Sequence, residues 1–162
     1  MSALFSVIGR INPDSKFLDL FAGTGRVGFE ALKRGAASVV FVESVRDRAE
    51  AIRENLRDDS DPDSVLVLSL EIRRALSWLS KRDMKFDYVF ADPPYNSGWC
   101  ETFASLKNLD KILSDDCVII LEHSVREKFA LNNNPYNLEI LQEKIYGETC
   151  LTFLRKQIAN QE

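Results

Sequence analysis

The residues best suited to chemistry form the run Asp92-Pro93-Pro94-Tyr95, which follows a short apolar segment, Phe86–Ala91. Two successive prolines stiffen the chain and remove two amide donors, so the loop presents carbonyl oxygens beside the Asp92 carboxylate. Such a set of acceptors suits a ligand that donates hydrogen bonds, and a planar amine is the natural guest. Tyr95 adds a flat ring on which a nucleobase can stack. We therefore predict that Asp92, Pro93, Pro94 and Tyr95 hold the exocyclic amine of a base.

A glycine-rich turn after the segment Lys16–Leu20 forms the second candidate site. Gly23, Gly25 and Gly28 have the GxGxxG spacing, in which glycine permits a tight turn and a close approach of the backbone to a ligand. Glu43 ends the next apolar segment about 20 residues further on, where a carboxylate can accept hydrogen bonds from ribose hydroxyls. The pattern predicts a nucleotide-like ligand.

Two ligands fit this turn. NAD would rest its pyrophosphate on the helix that follows the glycines. Asp19 precedes them, and an anion there would repel a pyrophosphate but attract a cationic amino group, which favours S-adenosylmethionine, a nucleoside with a charged amino acid arm. Glu43 would serve the ribose of either ligand and does not discriminate between them.

Together the two sites predict methyl transfer to an amine. An exocyclic amine on a base is a poor nucleophile, and hydrogen bonds to Asp92 and to the Pro93 carbonyl would aim its lone pair at a sulfonium methyl group. Positioning of this kind can supply several kcal/mol of the barrier. The sulfonium is a good leaving group, so the reaction needs no metal. The base must leave its stack to enter such a pocket.

The elements that position these sites alternate between strands and helices. Apolar, β-branched segments predict strands, and helical spacing of apolar residues predicts helices between them, including one after the glycine turn. This alternation is typical of a parallel sheet with helices on both faces, and the tail reads as an antiparallel hairpin turning at Gly147. The predicted strands are Lys16–Leu20, Ser38–Val42, Ser64–Leu68, Phe86–Ala91, Cys117–Leu121, Leu138–Tyr146 and Thr149–Leu154. The helical patterns are Val45, Ala49, Ile52 and Leu56; Ile72, Ala75, Leu76 and Leu79; and Phe103, Leu106, Leu109 and Leu113.

Composition excludes several classes of protein. The chain has 162 residues, 45% hydrophobic and 28% charged, which is typical of an ordinary globular domain, and we expect one domain over residues 1–162. No apolar run approaches the ~20 residues of a membrane helix, and no signal peptide is recognisable, so we expect a cytoplasmic protein that does not contact a membrane. Three scattered cysteines and one histidine predict no metal site. The net charge of −4 argues against a large phosphate-binding surface.

The whole pattern resembles one known family. The segments DLFAGTGRVGFEAL, VFVE, FDYVFADPPY and YGETCLTFL resemble the RsmD-type methyltransferases, which methylate the N2 amine of one guanine in bacterial 16S ribosomal RNA. The resemblance covers nearly the whole chain. It implies a class I S-adenosylmethionine-dependent methyltransferase: a Rossmann-like, mostly parallel seven-stranded sheet with a C-terminal antiparallel hairpin and helices on both faces.

The resemblance also implies roles for residues. Asp92, Pro93 and Tyr95 would hold the guanine. Glu71 stands near the position where the family usually carries an aspartate beside the adenine of the cofactor. The expected S-adenosylmethionine-binding set is Asp19, Phe21, Ala22, Gly23, Thr24, Gly25, Glu43, Ser44, Glu71 and Asp92.

The family usually begins with a basic β-hairpin arm that is expected to grip RNA. MSALFSVIGR corresponds to the helix after that arm, so we expect the arm to be absent here and RNA affinity to be affected. The expected partner is small-subunit rRNA or a 30S assembly particle, and the expected oligomeric state is a monomer. The alternatives are a DNA adenine-N6 methyltransferase, a protein-glutamine methyltransferase, a non-catalytic S-adenosylmethionine- or RNA-binding short form, and an NAD-dependent oxidoreductase.

Other residues receive structural or surface interpretations. His123 is expected to be structural, and Trp99 could border the base pocket. Arg26 and Arg46 start helices near the sheet rim and could meet phosphates. Six further cations are expected to lie on solvated faces: Lys33, Arg34, Arg73, Arg74, Lys81 and Arg82.

Overall fold

The computed structural model describes residues 2–56, 61–131 and 134–157. Its strands are β1 (Lys16–Leu20), β2 (Ser38–Val42), β3 (Val65–Leu68), β4 (Phe86–Ala91), β5 (Leu113–Ser124), β6 (Leu138–Tyr146) and β7 (Thr149–Lys156). Its α-helices are α1 (Ser2–Ile8), α2 (Arg26–Lys33), α3 (Arg46–Glu54), α4 (Ile72–Lys81) and α5 (Trp99–Thr102). Three short 3-10 turns cover Pro62–Ser64, Phe103–Ser105 and Asp110–Ile112. Within these ranges, no helix combines the length and the apolar character that crossing a membrane requires.

The strands form one seven-stranded sheet in the order β3-β2-β1-β4-β5-β7-β6. β1 to β5 pair in parallel, whereas β7 is antiparallel to both β5 and β6. This confirms the predicted mostly parallel sheet with its C-terminal hairpin. Strand order reverses between β2-β1 and β1-β4, and open α/β sheets bind ligands at the carboxyl ends of the strands beside such a reversal. The candidate site residues after β1, β2 and β4 therefore lie at the expected edge.

Side chains of the central strands alternate between two apolar cores. Phe17, Phe41 and Phe90 pack on the face covered by α1, α2 and α3, together with residues of those helices. Leu18, Val89 and their equivalents pack on the other face with α4 and α5. Burial on both faces explains why these strands read as continuous apolar runs.

The predicted helix over Phe103, Leu106, Leu109 and Leu113 is wrong. All four side chains are buried, as their spacing suggested. The chain reaches that burial through two 3-10 turns, and Leu113 already begins β5. Asn108 has a φ of 72°, a left-handed conformation that interrupts an α-helix. Periodicity thus located the buried side chains and not the backbone conformation.

The hairpin of β6 and β7 turns at Gly147, whose φ is 60°. β7 is inserted beside β5, and its residues Cys150–Leu154 are buried. β6 is the outer strand of the sheet, and most of its side chains are exposed. The three cysteines are buried free thiols, as expected.

Gly28 is constrained by packing, because an added Cβ would lie 2.3 Å from Cε1 of the fully buried Phe41. We predict that Gly28→Ala lowers the free energy of unfolding, measured by urea denaturation, by about 1–3 kcal/mol, the usual cost of overpacking. The better helix propensity of alanine offsets part of that loss. In a Phe41→Leu background the collision is relieved, so the added cost of Gly28→Ala should be smaller. Strictly additive costs would show that the ring does not constrain this position.

Candidate active site

Two clefts at the carboxyl ends of the strands meet at Asp92. The α2-side cleft measures about 530 Å³, and its walls include Asp19, Thr24, Arg26, Asp92, Glu122 and Thr149. The α4-side cleft measures about 670 Å³, and its walls include Glu43, Ser44, Glu71, Pro93, Tyr95 and Trp99. Phe21, Gly23 and Asp92 line both clefts. A ligand in one cleft and a ligand in the other would therefore meet at the glycine turn and Asp92.

The glycine turn forms the ridge between the clefts. The Ala22 amide donates to the Val42 carbonyl at 2.9 Å, and the Gly25 amide donates to the Ala22 carbonyl at 2.8 Å. Gly23 has a φ of 59°, and an added Cβ there would meet no atom within 4 Å, so this residue faces open cleft. Gly25 is different: it is buried, lines neither cleft, and its Cβ would lie 2.9 Å from the Phe29 ring. Its φ of 80° and the Phe29 ring both favour glycine at this position, and its contact with the cofactor stays a prediction.

Asp19 lies at the floor of the α2-side cleft and is buried. Its carboxylate accepts a hydrogen bond from the Gly28 amide at 3.0 Å, which ties the end of β1 to the first turn of α2. Burial raises the pKa of Asp19 well above its usual value, and the Gly28 hydrogen bond only partly opposes this. A cation reaching this floor would be attracted, as the sequence predicted, but the carboxylate also has a structural partner.

Glu43, which follows β2, fixes the glycine turn by accepting hydrogen bonds from backbone amides. One carboxylate oxygen accepts from the Gly23 amide at 3.0 Å and the other from the Val45 amide at 2.8 Å. A carboxylate has about four lone-pair sites, so two bonds leave capacity for hydroxyl donors. Glu43 is nine-tenths or more buried and lines the α4-side cleft. It can therefore hold a ribose-like diol and fix the loop at the same time.

The Asp92–Tyr95 loop is held from two sides. The Tyr95 hydroxyl lies 3.2 Å from Oγ1 of Thr149 at the start of β7, and the Asn96 amide donates to Glu127 at 2.7 Å. Ser97 donates to the Pro94 carbonyl, whereas no described residue donates to the Pro93 carbonyl. Tyr95 is half exposed and lines the α4-side cleft. The loop thus offers the acceptors and the ring that the sequence predicted.

The rim of the α4-side cleft carries three further predicted residues. Glu71 caps α4 by accepting from the Arg74 amide at 2.7 Å, and its side chain is exposed. Trp99 packs edge-to-face on Phe21, with 5.2 Å between the ring centroids. Ser44 is exposed at the same rim. Trp99 lines this cleft alongside Asp92 and Tyr95 and is absent from the α2-side walls.

Of the three remaining candidates near the sheet edge, His123 and Arg46 lie outside both clefts. His123 is buried, with Nε2 2.7 Å from Oγ1 of Thr152 and Nδ1 2.9 Å from the Ser124 carbonyl. Both ring nitrogens are satisfied, which agrees with a structural histidine. Arg26 lines the α2-side cleft, whereas Arg46 lines neither cleft.

Sequence reasoning missed Glu122, a half-buried carboxylate in the α2-side cleft. Ala91 of β4 pairs with Leu121 of β5, so Asp92 and Glu122 follow at neighbouring strand ends on one face of the sheet. Phe90 and Ile120, two residues earlier on each strand, share the core on that face. The signal lay in the sequence LEHS at the end of β5, but only the strand pairing brings Glu122 beside Asp92.

The electrostatics of the site are dominated by carboxylates. Partial burial and, second, the Glu122 carboxylate raise the pKa of Asp92 from 3.8 to about 7, and burial raises the pKa of Glu122. Arg26 and Arg48 are the cations on the walls of the two clefts. No three acidic, histidine or cysteine side chains in the described residues are close enough to hold a metal ion. The site can accept hydrogen bonds and attract cations, and it disfavours anions.

Comparison with known proteins gives a consistent result. The family model described as conserved hypothetical protein 95 matches residues 1–155. Ribosomal RNA small subunit methyltransferase D of Escherichia coli is 29% identical over 154 residues, covering 95% of this chain and 75% of that protein. The protein of the same name from Haemophilus influenzae is 33% identical over 138 residues, covering 82% of this chain and 67% of that protein.

Solved structures agree with the fold. A conserved hypothetical protein of Streptococcus pyogenes superposes with a TM-score of 0.81 and 30% identity, covering 96% of this chain and 94% of that one. The sheet order, with one antiparallel strand inserted beside β5, is that of the class I methyltransferase fold.

The raised pKa of Asp92 makes its ionisation costly to the folded state. The folded protein binds this proton more tightly than the unfolded chain does, so Asp92 lowers stability progressively as pH rises from 3.8 to about 7. Asp92→Asn should therefore be more stable than the native protein at pH 8, and the difference should vanish near pH 4. Urea denaturation at both pH values measures this. Asp115→Asn, an exposed carboxylate elsewhere on β5, is the control; an unchanged pH dependence in Asp92→Asn would contradict the assignment.

Proposed function

The chain belongs to the conserved hypothetical protein 95 family, that of the RsmD-type methyltransferases, and we propose that it transfers a methyl group from S-adenosylmethionine to the N2 amine of a guanine in small-subunit ribosomal RNA. The observation that carries this proposal is that Asp92 lines both clefts. The α4-side cleft suits a nucleoside cofactor. The target base would lie where the two clefts meet, with Asp92 and Glu122 on its α2 side and Pro93 and Tyr95 on its α4 side.

The α4-side cleft fits the cofactor. Glu43 supplies a buried acceptor for ribose hydroxyls, and Glu71 and Ile72 supply the wall on which an adenine can rest. Gly23 leaves the floor between the clefts open, and Asp19 beyond it favours a cationic amino group. When bound, S-adenosylmethionine supplies an electrophilic methyl group on a sulfonium.

The acidic lining argues against NAD. Five carboxylates line the two clefts, namely Asp19, Glu43, Glu71, Asp92 and Glu122, against the two cations Arg26 and Arg48. A pyrophosphate would be repelled at the short distances that such a site imposes, because partial burial weakens screening by water. A cationic ligand would instead favour the ionised form of Asp92 and lower its pKa towards its usual range.

Asp92 would act on the base amine directly. Its carboxylate and the Pro93 carbonyl accept hydrogen bonds from the two amine hydrogens, which orients the nitrogen lone pair. Transfer would form the bond between nitrogen and the methyl carbon as the bond between that carbon and sulfur breaks, with the electron pair left on the sulfur of S-adenosylhomocysteine. One N–H proton would then become acidic and leave to Asp92 or to water. Tyr95 stacks on the base and holds its plane.

Glu122 favours guanine over adenine. The Watson–Crick edge of guanine presents two adjacent donors, the N1–H and the N2 amine, and two neighbouring carboxylates match them. Adenine presents its N6 amine beside the unprotonated N1, which is an acceptor. That N1 would face the Glu122 carboxylate, so neither N1 nor the carboxylate would receive a hydrogen bond. The carboxylate pair therefore supports guanine-N2 transfer over the adenine-N6 alternative.

Asp92→Ala tests the proposal. We expect methyl transfer to unmethylated small-subunit rRNA to fall at least about 100-fold, because the acceptor of the amine is lost. Affinity for S-adenosylhomocysteine, measured calorimetrically, should stay within a few-fold. Asp115→Ala is the matched control, and mass spectrometry of digested RNA should identify N2-methylguanosine as the native product. Absence of transfer by the native chain, or loss of cofactor binding in Asp92→Ala, would contradict the proposed roles.

Glu122→Gln tests the choice of base. The amide can donate to an unprotonated N1, which the carboxylate cannot. On RNA with guanine at the methylated position we expect transfer to slow at least about tenfold, the cost of losing a charged hydrogen bond. On RNA with 2-aminopurine there, which keeps the 2-amine but lacks the N1–H, the variant should lose much less or exceed the native protein. An equal loss on both RNAs would mean that Glu122 does not read N1.

A further inference from the structure

A second surface of interest is a groove along α4 that lies outside both clefts. It measures about 640 Å³ and is lined by Leu70, Arg73, Arg74, Ser77, Trp78, Lys81 and Arg82. Four of these seven residues are cations and none is acidic, in a protein whose net charge is −4. The sequence predicts that these cations are simply solvated. The structure instead gathers all four along one groove. We refer to this surface as the α4 groove.

Helical geometry aligns the cations in two columns. Arg73, Ser77 and Lys81 are spaced four residues apart, as are Arg74, Trp78 and Arg82, and residues at this spacing share one face of a helix. Eight residues of helix rise about 12 Å, so the columns carry a cationic pair at each end with a hydroxyl and an indole between them.

The stability of the helix explains Lys81, which stands in the last turn where the dipole favours a cation, but it does not explain Arg73 and Arg74. Arg73 and Arg74 stand in the first turn of α4, where the helix dipole disfavours positive charge by a few tenths of a kcal/mol or more. No ion pair with a described residue neutralises any of the four. A groove that gathers uncompensated like charges is best explained by an anion that neutralises them.

Two aromatic residues, Trp78 in the groove and Trp99 in the neighbouring cleft, orient two guanidinium groups. Arg82 stacks over the Trp78 ring at 3.6 Å, and its Nη1 donates to the Trp78 carbonyl at 3.1 Å. Arg73 stacks over Trp99 at 4.9 Å. A stacked guanidinium keeps its remaining N–H groups free along the edge, the geometry that binds phosphate in bidentate fashion.

The contact between Arg73 and Trp99 joins the groove to the active site. Trp99 lines the α4-side cleft with Asp92 and Tyr95, so the end of the columns at Arg73 borders that cleft, which meets the α2-side cleft at Asp92. A polyanion whose one nucleotide enters the clefts would have its neighbouring phosphates within reach of this groove.

We propose that the α4 groove binds the phosphodiester backbone of the RNA that flanks the target guanine. This inference rests on the proposed function, because it takes RNA as the substrate. Phosphates bind the cationic pairs at the two ends of the groove, and the stacked guanidinium groups of Arg73 and Arg82 fix the direction of the strand. Such contacts orient the substrate without reading its sequence.

The test compares three variants on unmethylated small-subunit rRNA. Arg74→Ala/Lys81→Ala removes one cation from each end of the groove, and both side chains are exposed. Lys16→Ala/Lys33→Ala removes two exposed cations outside the groove and is the charge-matched control. Arg74→Lys/Lys81→Arg keeps the charges and should restore binding in large part. Thermal unfolding and S-adenosylhomocysteine titration establish that each variant is folded.

Binding is measured by filter retention between 50 and 200 mM salt. Two lost phosphate contacts on a single strand should make the log–log salt slope shallower by about 1.4, so that this rise in salt weakens the native protein about sevenfold more than the groove variant. We also expect KM for RNA to rise and kcat to stay within twofold, since the groove lies outside the reacting groups.

The outcomes separate this proposal from the proposed function. If the native chain neither binds nor methylates the RNA, the proposed function fails and the groove assignment with it. If the native chain methylates the RNA and the groove variant matches the control in affinity and salt slope, only the groove assignment is overturned. An acidic protein partner would be the indicated occupant in that case.

Discussion

The hydrogen bond between Asp19 and the Gly28 amide is the contact on which the site depends. It joins the end of strand β1 to the first turn of α2, on either side of the glycine loop. A buried carboxylate is costly, which the raised pKa of Asp19 reflects, and a charged hydrogen bond offsets part of that cost. Because Gly28 also lies against the Phe41 ring, α2 is held close to β2, and the glycine turn between β1 and α2 is fixed at both of its ends.

The shape of that turn determines where the other carboxylates act. Glu43 reaches across to the Gly23 amide from the neighbouring strand, so the loop and the end of β2 form one unit. The parallel register then brings Asp92 and Glu122 to the same edge from β4 and β5. The site is therefore a row of acceptors on a rigid sheet, suited to ligands that donate hydrogen bonds or carry positive charge.

Negative and positive side chains lie in different regions of this protein, which its net charge of −4 does not reveal. Carboxylates concentrate at the sheet edge, while α4 presents cations on its outer face. An argument from net charge alone disfavours an RNA substrate, but a ligand responds to the local field of the surface that it meets, and the field along α4 is positive. The two regions meet at Trp99, which packs on Phe21 on one side and under Arg73 on the other.

The sequence by itself determined the fold class, the approximate positions of the strands and the place of the two motifs after β1 and β4, because hydrophobic periodicity and the conformational limits of glycine and proline are local properties. It failed for the helix at Phe103–Leu113, since spacing reports burial and Asn108 turns the backbone where no helix can continue. It could not assign Gly25 to packing, because the Phe29 ring that it touches is oriented by the folded chain. Only the tertiary structure decided that Glu122 stands beside Asp92, and that α4 borders the active site. Both depend on strand pairing and helix packing between residues distant in sequence, and no local pattern encodes such distances.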